Sequence, residues 1–71
     1  MVRDIRQLLS LRPFQPFSIV TSAGKQYRVP TSDHAGVNPN GSRVVIWFDE
    51  GSGVTISALH IAAVEQEQSA T

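Results

Sequence analysis

The chain has 71 residues, with six Lys or Arg, six Asp or Glu and no cysteine. That length excludes two ordinary domains, and the missing thiols exclude a disulfide framework, a cysteine-based zinc site and thioredoxin-type chemistry. The formal charge of zero argues against a protein that coats a polyanion.

In chain order, Val2, Ile5, Leu8 and Leu9 fall on one stripe of a helix. Asp4 in the first turn and Arg12 at the end both suit the helix dipole, and Pro13 pushes its predecessor out of the α region. The spacing predicts a helix over residues 2–11, with Arg3, Arg6 and Gln7 on its polar face. Past the bend at residues 13–16 the period changes. Phe17, Ile19 and Thr21 alternate with Ser18, Val20 and Ser22, which predicts a strand over 17–22. Gly24 turns the chain into a second strand over 25–30, with Tyr27 and Val29 on one face and Gln26 and Arg28 on the other.

Residues 30–41 read as a polar loop, punctuated by Asn38-Pro39 and Asn40-Gly41. Residues 42–48 are almost continuously apolar, the pattern of a central strand covered on both faces. Residues 49–53 turn the chain into a fourth strand over 53–57. Two readings compete for residues 57–68. Ala58, Ala62 and Ala63 favour a helix capped by Ser57. A tight turn at 57–60 and a strand over 61–65 would instead close the open edge that four strands leave, and the strand is preferred on that ground. The tail, 66–71, reads as loose; neither an internal repeat nor a linker is evident. The prediction is one mainly β domain over 1–71: an N-terminal α-helix and five short antiparallel strands in a small, strongly bent sheet or barrel.

A chain this short buries only about 60% of its unfolded surface, and such domains usually add a disulfide, a metal or a second copy. Self-association is expected here, since no thiol and no metal-ligand spacing is present. The charge pattern points the same way. Residues 1–43 carry all six bases against Asp4 and Asp33, a balance of +4, while residues 44–71 carry Asp49, Glu50, Glu65 and Glu67 and no base, a balance of −4. Either the halves attract each other, or the basic face of one copy meets the acidic face of another. The longest apolar run, 44–48, is far below the roughly 20 residues of a membrane span. Arg3, Asp4, Arg6 and Gln7 interrupt the start where a secretory apolar region would lie. Neither a signal peptide nor a membrane partner is therefore expected.

The order of elements, a helix and then five strands with one tight turn between the last two, resembles the Sm-like fold, an SH3-type small barrel. Proteins of that fold form rings by pairing the fourth strand of one subunit with the fifth of the next, and many bind RNA, so the resemblance implies an RNA-binding ring. Ala58-Leu59-His60 stands where that family's second RNA motif has an Arg/Lys-Gly pair. Asp33 and Asn38 lie in the loop of its first motif without the usual apolar spacing. At sequence level, the opening Arg12-Pro13-Phe14-Gln15-Pro16-Phe17-Ser18-Ile19, with Gly24, Tyr27 and Leu59-His60-Ile61, resembles a group of short bacterial proteins without an assigned function. That resemblance implies a bacterial, cytoplasmic protein and brings no chemistry.

Few residues suggest chemistry. Asp33 and His34 are neighbours, and neighbours in an extended loop point to opposite sides; Asp33 is expected to accept loop amides as an Asx turn, with His34 exposed. His60 is expected to donate to a backbone carbonyl or to sit at a subunit contact. No metal and no cofactor is expected, because three ligands do not come together in the sequence. Two acids in the 49–53 turn repel phosphate, and Asn40-Gly41-Ser42 is a chance glycosylation match in a turn. Lys25, Arg28 and Arg43, with Tyr27 available for stacking, are the nucleic-acid-binding candidates. Trp47 and Phe48 take opposite faces of one strand, so one of them is exposed; Trp47, His60 and Ile61 are the interface candidates. The resulting expectation is a non-catalytic, homo-oligomeric binding or assembly module, not an enzyme, whose ligand is unspecified. An Sm-like RNA-binding ring is the alternative, and a small enzyme with His34 or His60 at a subunit interface comes third.

Overall fold

In a computed structural model, residues 1–67 are described. Helix α1 spans Val2–Ser10, and six strands follow: β1 Phe17–Thr21, β2 Gln26–Val29, β3 Ala35–Val37, β4 Arg43–Trp47, β5 Gly53–Ser57 and β6 Ile61–Gln66. Short 3₁₀ turns, Ser32–His34 and Ala58–His60, precede β3 and β6. The strands form two antiparallel three-stranded sheets, β2-β1-β6 and β3-β4-β5. The chain is thus mainly β with one N-terminal helix, but it has six strands in two sheets rather than five in one, and neither sheet closes on itself.

The sixth strand is β3, inside the stretch whose turn residues read as loop. Its three residues are too few to show a period, and it exists because Ala35, Gly36 and Val37 pair with Ile46, Val45 and Val44. For residues 57–67, the turn-then-strand alternative is the one adopted. The tail begins later than expected: Gln66 belongs to β6, and the Glu67 N–H donates to the Pro16 carbonyl at 3.1 Å. Residues 68–71 lie outside the described part.

Alternation builds the core. Phe17 and Ile19 of β1, Val29 of β2, Val44 and Ile46 of β4, and Ile5 of α1 are all fully buried. Ile5 inserts from the helix side, and Val2, Leu8 and Leu9 flank it. The helix is held in place by Arg6, whose Nη2 donates to the carbonyls of Asn38 (2.7 Å) and Pro39 (2.9 Å). β4 is central in its sheet but covered on one face only: Arg43 and Trp47 are exposed on the other, with Val45 half-buried between them. Within β4 the apolar run therefore overstates burial, because Trp47 supplies one outward apolar position.

The two sheets are built from two related halves. Shifting the β1–β2 register by 27 positions turns Phe17↔Val29, Ile19↔Tyr27 and Val20↔Gln26 into Val44↔Ile56, Ile46↔Val54 and Trp47↔Gly53, the register of β4–β5. The turns match too. Thr21 N–H donates to Lys25 O (2.8 Å) and Phe48 N–H to Ser52 O (2.7 Å). Gly24 and Gly51 both hold positive φ, +86° and +100°, a region costly for other residues. Each half then enters a 3₁₀ turn that ends in histidine, capped by Thr31 (from Asp33 N–H, 3.2 Å) or Ser57 (from Leu59 N–H, 3.4 Å). Afterwards the halves exchange strands: β3 pairs with β4, and β6 pairs with β1. The likeness is one of register, and the sequence itself shows no internal repeat. Across the two hairpins that shift keeps only Ile19/Ile46 and Gly24/Gly51, and His34/His60 match one residue short of it, too few identities to read from sequence, because the likeness lies in burial and pairing.

Candidate functional site

Trp47 is the outward residue at the end of β4, and it is 46% exposed. Its ring lies across both neighbouring strands because each offers a glycine. A Cβ on Gly36 would stand 3.5 Å from Trp47 Cη2, and one on Gly53 would stand 3.3 Å from Trp47 Cδ1 and 2.8 Å from the Ile46 carbonyl oxygen. One face of the indole is thus seated against backbone. Phe48 turns inward, as the alternation expects, and stacks on Tyr27 with ring centroids 6.2 Å apart.

Beyond Trp47 the chain reaches the β4–β5 turn, where Asp49 meets His34 from the first 3₁₀ turn. His34 Nε2 lies 2.7 Å from Asp49 Oδ1, and Nδ1 lies 2.7 Å from Thr31 Oγ1. An ionised carboxylate only accepts, so Nε2 carries the proton and, in the neutral ring, Nδ1 accepts from the Thr31 hydroxyl. The same Thr31 oxygen accepts the Asp33 N–H. The His34 side chain is 22% exposed, and that of Asp49 91%. Next to it, Glu50 accepts a 2.6 Å hydrogen bond from the Ser52 hydroxyl; that bond, helped by a backbone N–H, holds its carboxyl below the ordinary range. His34, Trp47, Asp49 and Glu50, with Arg28, Pro30 and Phe48, line a cleft of about 290 Å³. The Arg28 guanidinium is engaged twice by Glu67, at 2.6 and 3.2 Å. That pairing raises Arg28 and lowers Glu67 from their usual values, mainly through the hydrogen bond. The carboxylates of Asp49 and Glu50 therefore set the sign of the cleft.

The other half of the molecule provides an internal control. Its equivalent corner holds Val20, Thr21, Ser22 and Ala23 where the cleft has Trp47, Phe48, Asp49 and Glu50, and Thr55 where the cleft has Arg28. There the hairpin turn meets the 3₁₀ turn through the backbone: Ser22 N–H donates to the His60 carbonyl at 2.8 Å. Hairpin and 3₁₀ turn thus fold with small residues and no ionic tie. The Trp47–His34–Asp49 cluster is more than the architecture requires.

Of the sequence candidates, Trp47 and His34 come together here. His34 is not exposed as expected but held on both ring nitrogens, and Thr31 rather than Asp33 accepts the loop amide. Lys25 covers the Tyr27 ring, its Nζ 5.7 Å from the centroid. Tyr27 and Arg28, as successive strand residues, take opposite faces of β2. Arg43 lies at the other end of β4 from Trp47, paired with Ser57. The four nucleic-acid candidates therefore do not share one face. Ile61 is buried in the chain's own core, while His60 is exposed and engages Ser22 by its carbonyl rather than its ring. The sequence reading missed Thr31 and Asp49 as partners of His34. The parallel between Thr31-x-x-His34 and Ser57-x-x-His60 was the signal that could have marked the first of them.

Among the described residues, no three His, Asp or Glu side chains are grouped to hold a metal ion, and no helix is long and apolar enough to cross a membrane. A larger groove of about 420 Å³ runs between α1 and β6, lined by Met1, Leu8, Leu11 and Val64 together with the polar Asp4, Gln7 and Gln66. No protein-family model, curated protein or solved structure matches the chain.

Proposed function

We propose that this chain is a non-catalytic binding and assembly module of the small-barrel type, working as a homo-oligomer with its binding site at the Trp47 cleft. The observation that carries the reading is the exposed indole seated on Gly36 and Gly53 beside two carboxylates, in a corner that the second half builds without them. An exposed, rigidly backed aromatic with a polar rim is the usual anchor of an interface. Self-association draws support from the four edge strands, β2, β3, β5 and β6, each paired on one side only. Exposed edges are normally covered or paired.

Thr31, His34 and Asp49 line up like a nucleophile, base and acid, but their environment speaks against catalysis. The acid of such a triad is buried so that it can hold the ring, whereas Asp49 is 91% exposed. The Thr31 hydroxyl is already committed as a cap and as a donor to His34. The chain of bonds acts as a brace between the two turns.

A second reading, an RNA-binding ring like the Sm-like proteins, draws on the 3₁₀ turn between β5 and β6 and on the open edges of those strands. Lys25, Arg28 and Arg43 would meet the phosphates.

Sedimentation velocity tests the first reading: an oligomer at micromolar concentration is expected, and a stable monomer overturns it. Titration with oligo-U and oligo-A at about 50 mM salt decides the second, since phosphate contacts dominate affinity at low salt.

A further inference from the structure

We infer that the outer face of the β3-β4-β5 sheet is a two-fold interface between copies of this chain, in which Arg43 of each copy enters the Trp47–Asp49–Glu50 cleft of the other. This rests on the self-association reading above and names its surface.

The face is self-complementary along one strand. Arg43, Val45 and Trp47 alternate outward on β4, while Val44 and Ile46 are buried beneath. A cation thus stands at one end, an apolar residue in the middle, and an aromatic with two acids just beyond at the other. Arg43 and Trp47 are about 13 Å apart at the usual strand rise. Rotating a second copy by half a turn about an axis through Val45 places each Arg43 over the other copy's Trp47 and each Val45 against its twin. Such a patch, where one residue meets another and the relation is returned, is the signature of an isologous contact.

The neighbouring strands permit close approach. The positions flanking β4 on this face are Gly36 on β3 and Gly53, Thr55 and Ser57 on β5, all small. The Arg43 side chain makes no hydrogen bond or ion pair with the described residues, and Arg43 is exposed. The cleft offers what a guanidinium takes: the free face of an indole for a cation–π contact and the carboxylates of Asp49 and Glu50 for charge-assisted hydrogen bonds. Phosphate or another anion would meet those acids instead. Opposite charges thus stand at the two ends of β4, Arg43 at one and Asp49 and Glu50 just beyond the other.

The test is charge reversal with rescue. Arg43→Glu alone and Asp49→Lys/Glu50→Lys together place like charges at both symmetric contacts. Each should weaken dimerisation about tenfold or more by sedimentation velocity. An equimolar mixture should recover the wild-type mass, because both contacts are again of opposite sign. Trp47 is the only tryptophan, so its emission should shift on dimerisation in the wild type and in the mixture. Circular dichroism identifies any variant that fails to fold; Trp47→Ala, which leaves every charge in place, then serves as the second probe and should also weaken the dimer. An oligomer insensitive to all these changes overturns the interface while leaving self-association intact. A monomeric wild type overturns both. A monomer whose Trp47 emission responds to an arginine octapeptide gives the cleft to a foreign basic partner and overturns the second copy as its occupant.

Discussion

His34 and Asp49, fifteen residues apart in the chain, meet at 2.7 Å between Nε2 and Oδ1. The contact ties the turn that follows β2, in one sheet, to the turn between β4 and β5, in the other. At the equivalent place in the second half, His60 and Ser22 are joined through the backbone instead. The same topological joint is thus made once by side chains and once by main chain, and only the side-chain version leaves a charged, aromatic cleft.

Because Asp49 is almost fully exposed, the His34 bond should add little stability. Asp49→Asn is expected to cost under about 1 kcal/mol in urea unfolding. Thr31→Ala removes both the cap of the 3₁₀ turn and the bond to Nδ1, and should cost about 1 kcal/mol or somewhat more. If Asp49→Asn proves the more damaging of the two, the joint is structural rather than a surplus feature of the cleft.

The seat of Trp47 gives a sharper contrast. Gly53→Ala would bring a Cβ to 2.8 Å from the Ile46 carbonyl, a backbone atom that cannot swing aside, and overpacking of this kind costs about 1–3 kcal/mol. Gly36→Ala would make an ordinary 3.5 Å contact with the indole and should change stability by less than about 0.5 kcal/mol. Equal midpoints for the two variants would contradict the described packing.

Ile5 is the helix's one fully buried residue among those described, and Leu59 is 91% exposed. Ile5→Ala should cost about 2–5 kcal/mol, enough to unfold a substantial fraction of so small a domain. Leu59→Ala should stay within about 0.5 kcal/mol of the wild type. Thermal unfolding followed by circular dichroism would show the difference.

Acid should act through Glu67. Arg28 holds its carboxyl below the ordinary value in the folded state, so the stabilisation is present above the unfolded-state value and is lost as pH falls through and below about 4.3. Glu50, lowered chiefly by Ser52, has the same sign. Both groups are exposed, so the effect is small and salt-screened. Glu67→Gln should flatten the fall in melting temperature between about pH 5 and 3, and an unchanged slope would show that the pair is not formed in solution.

Much of the architecture was legible where its cause is local. The helix follows from a stripe of four apolar residues stopped by a proline, and the two hairpins from alternation around Gly24 and Gly51. β3 escaped because three residues carry no period, and β6 was decided by the need to cover an edge rather than by its alanine-rich composition. Alternation alone determined that Trp47 and Phe48 face opposite ways. It could not say which one faces water, because that depends on where the second sheet lies. Nor could composition bring His34 to Asp49, or Arg28 of the basic half to Glu67 of the acidic one. Those relations are set by long-range pairing and by the exchange of β3 and β6 between the halves, and a periodic pattern carries information only about its own element.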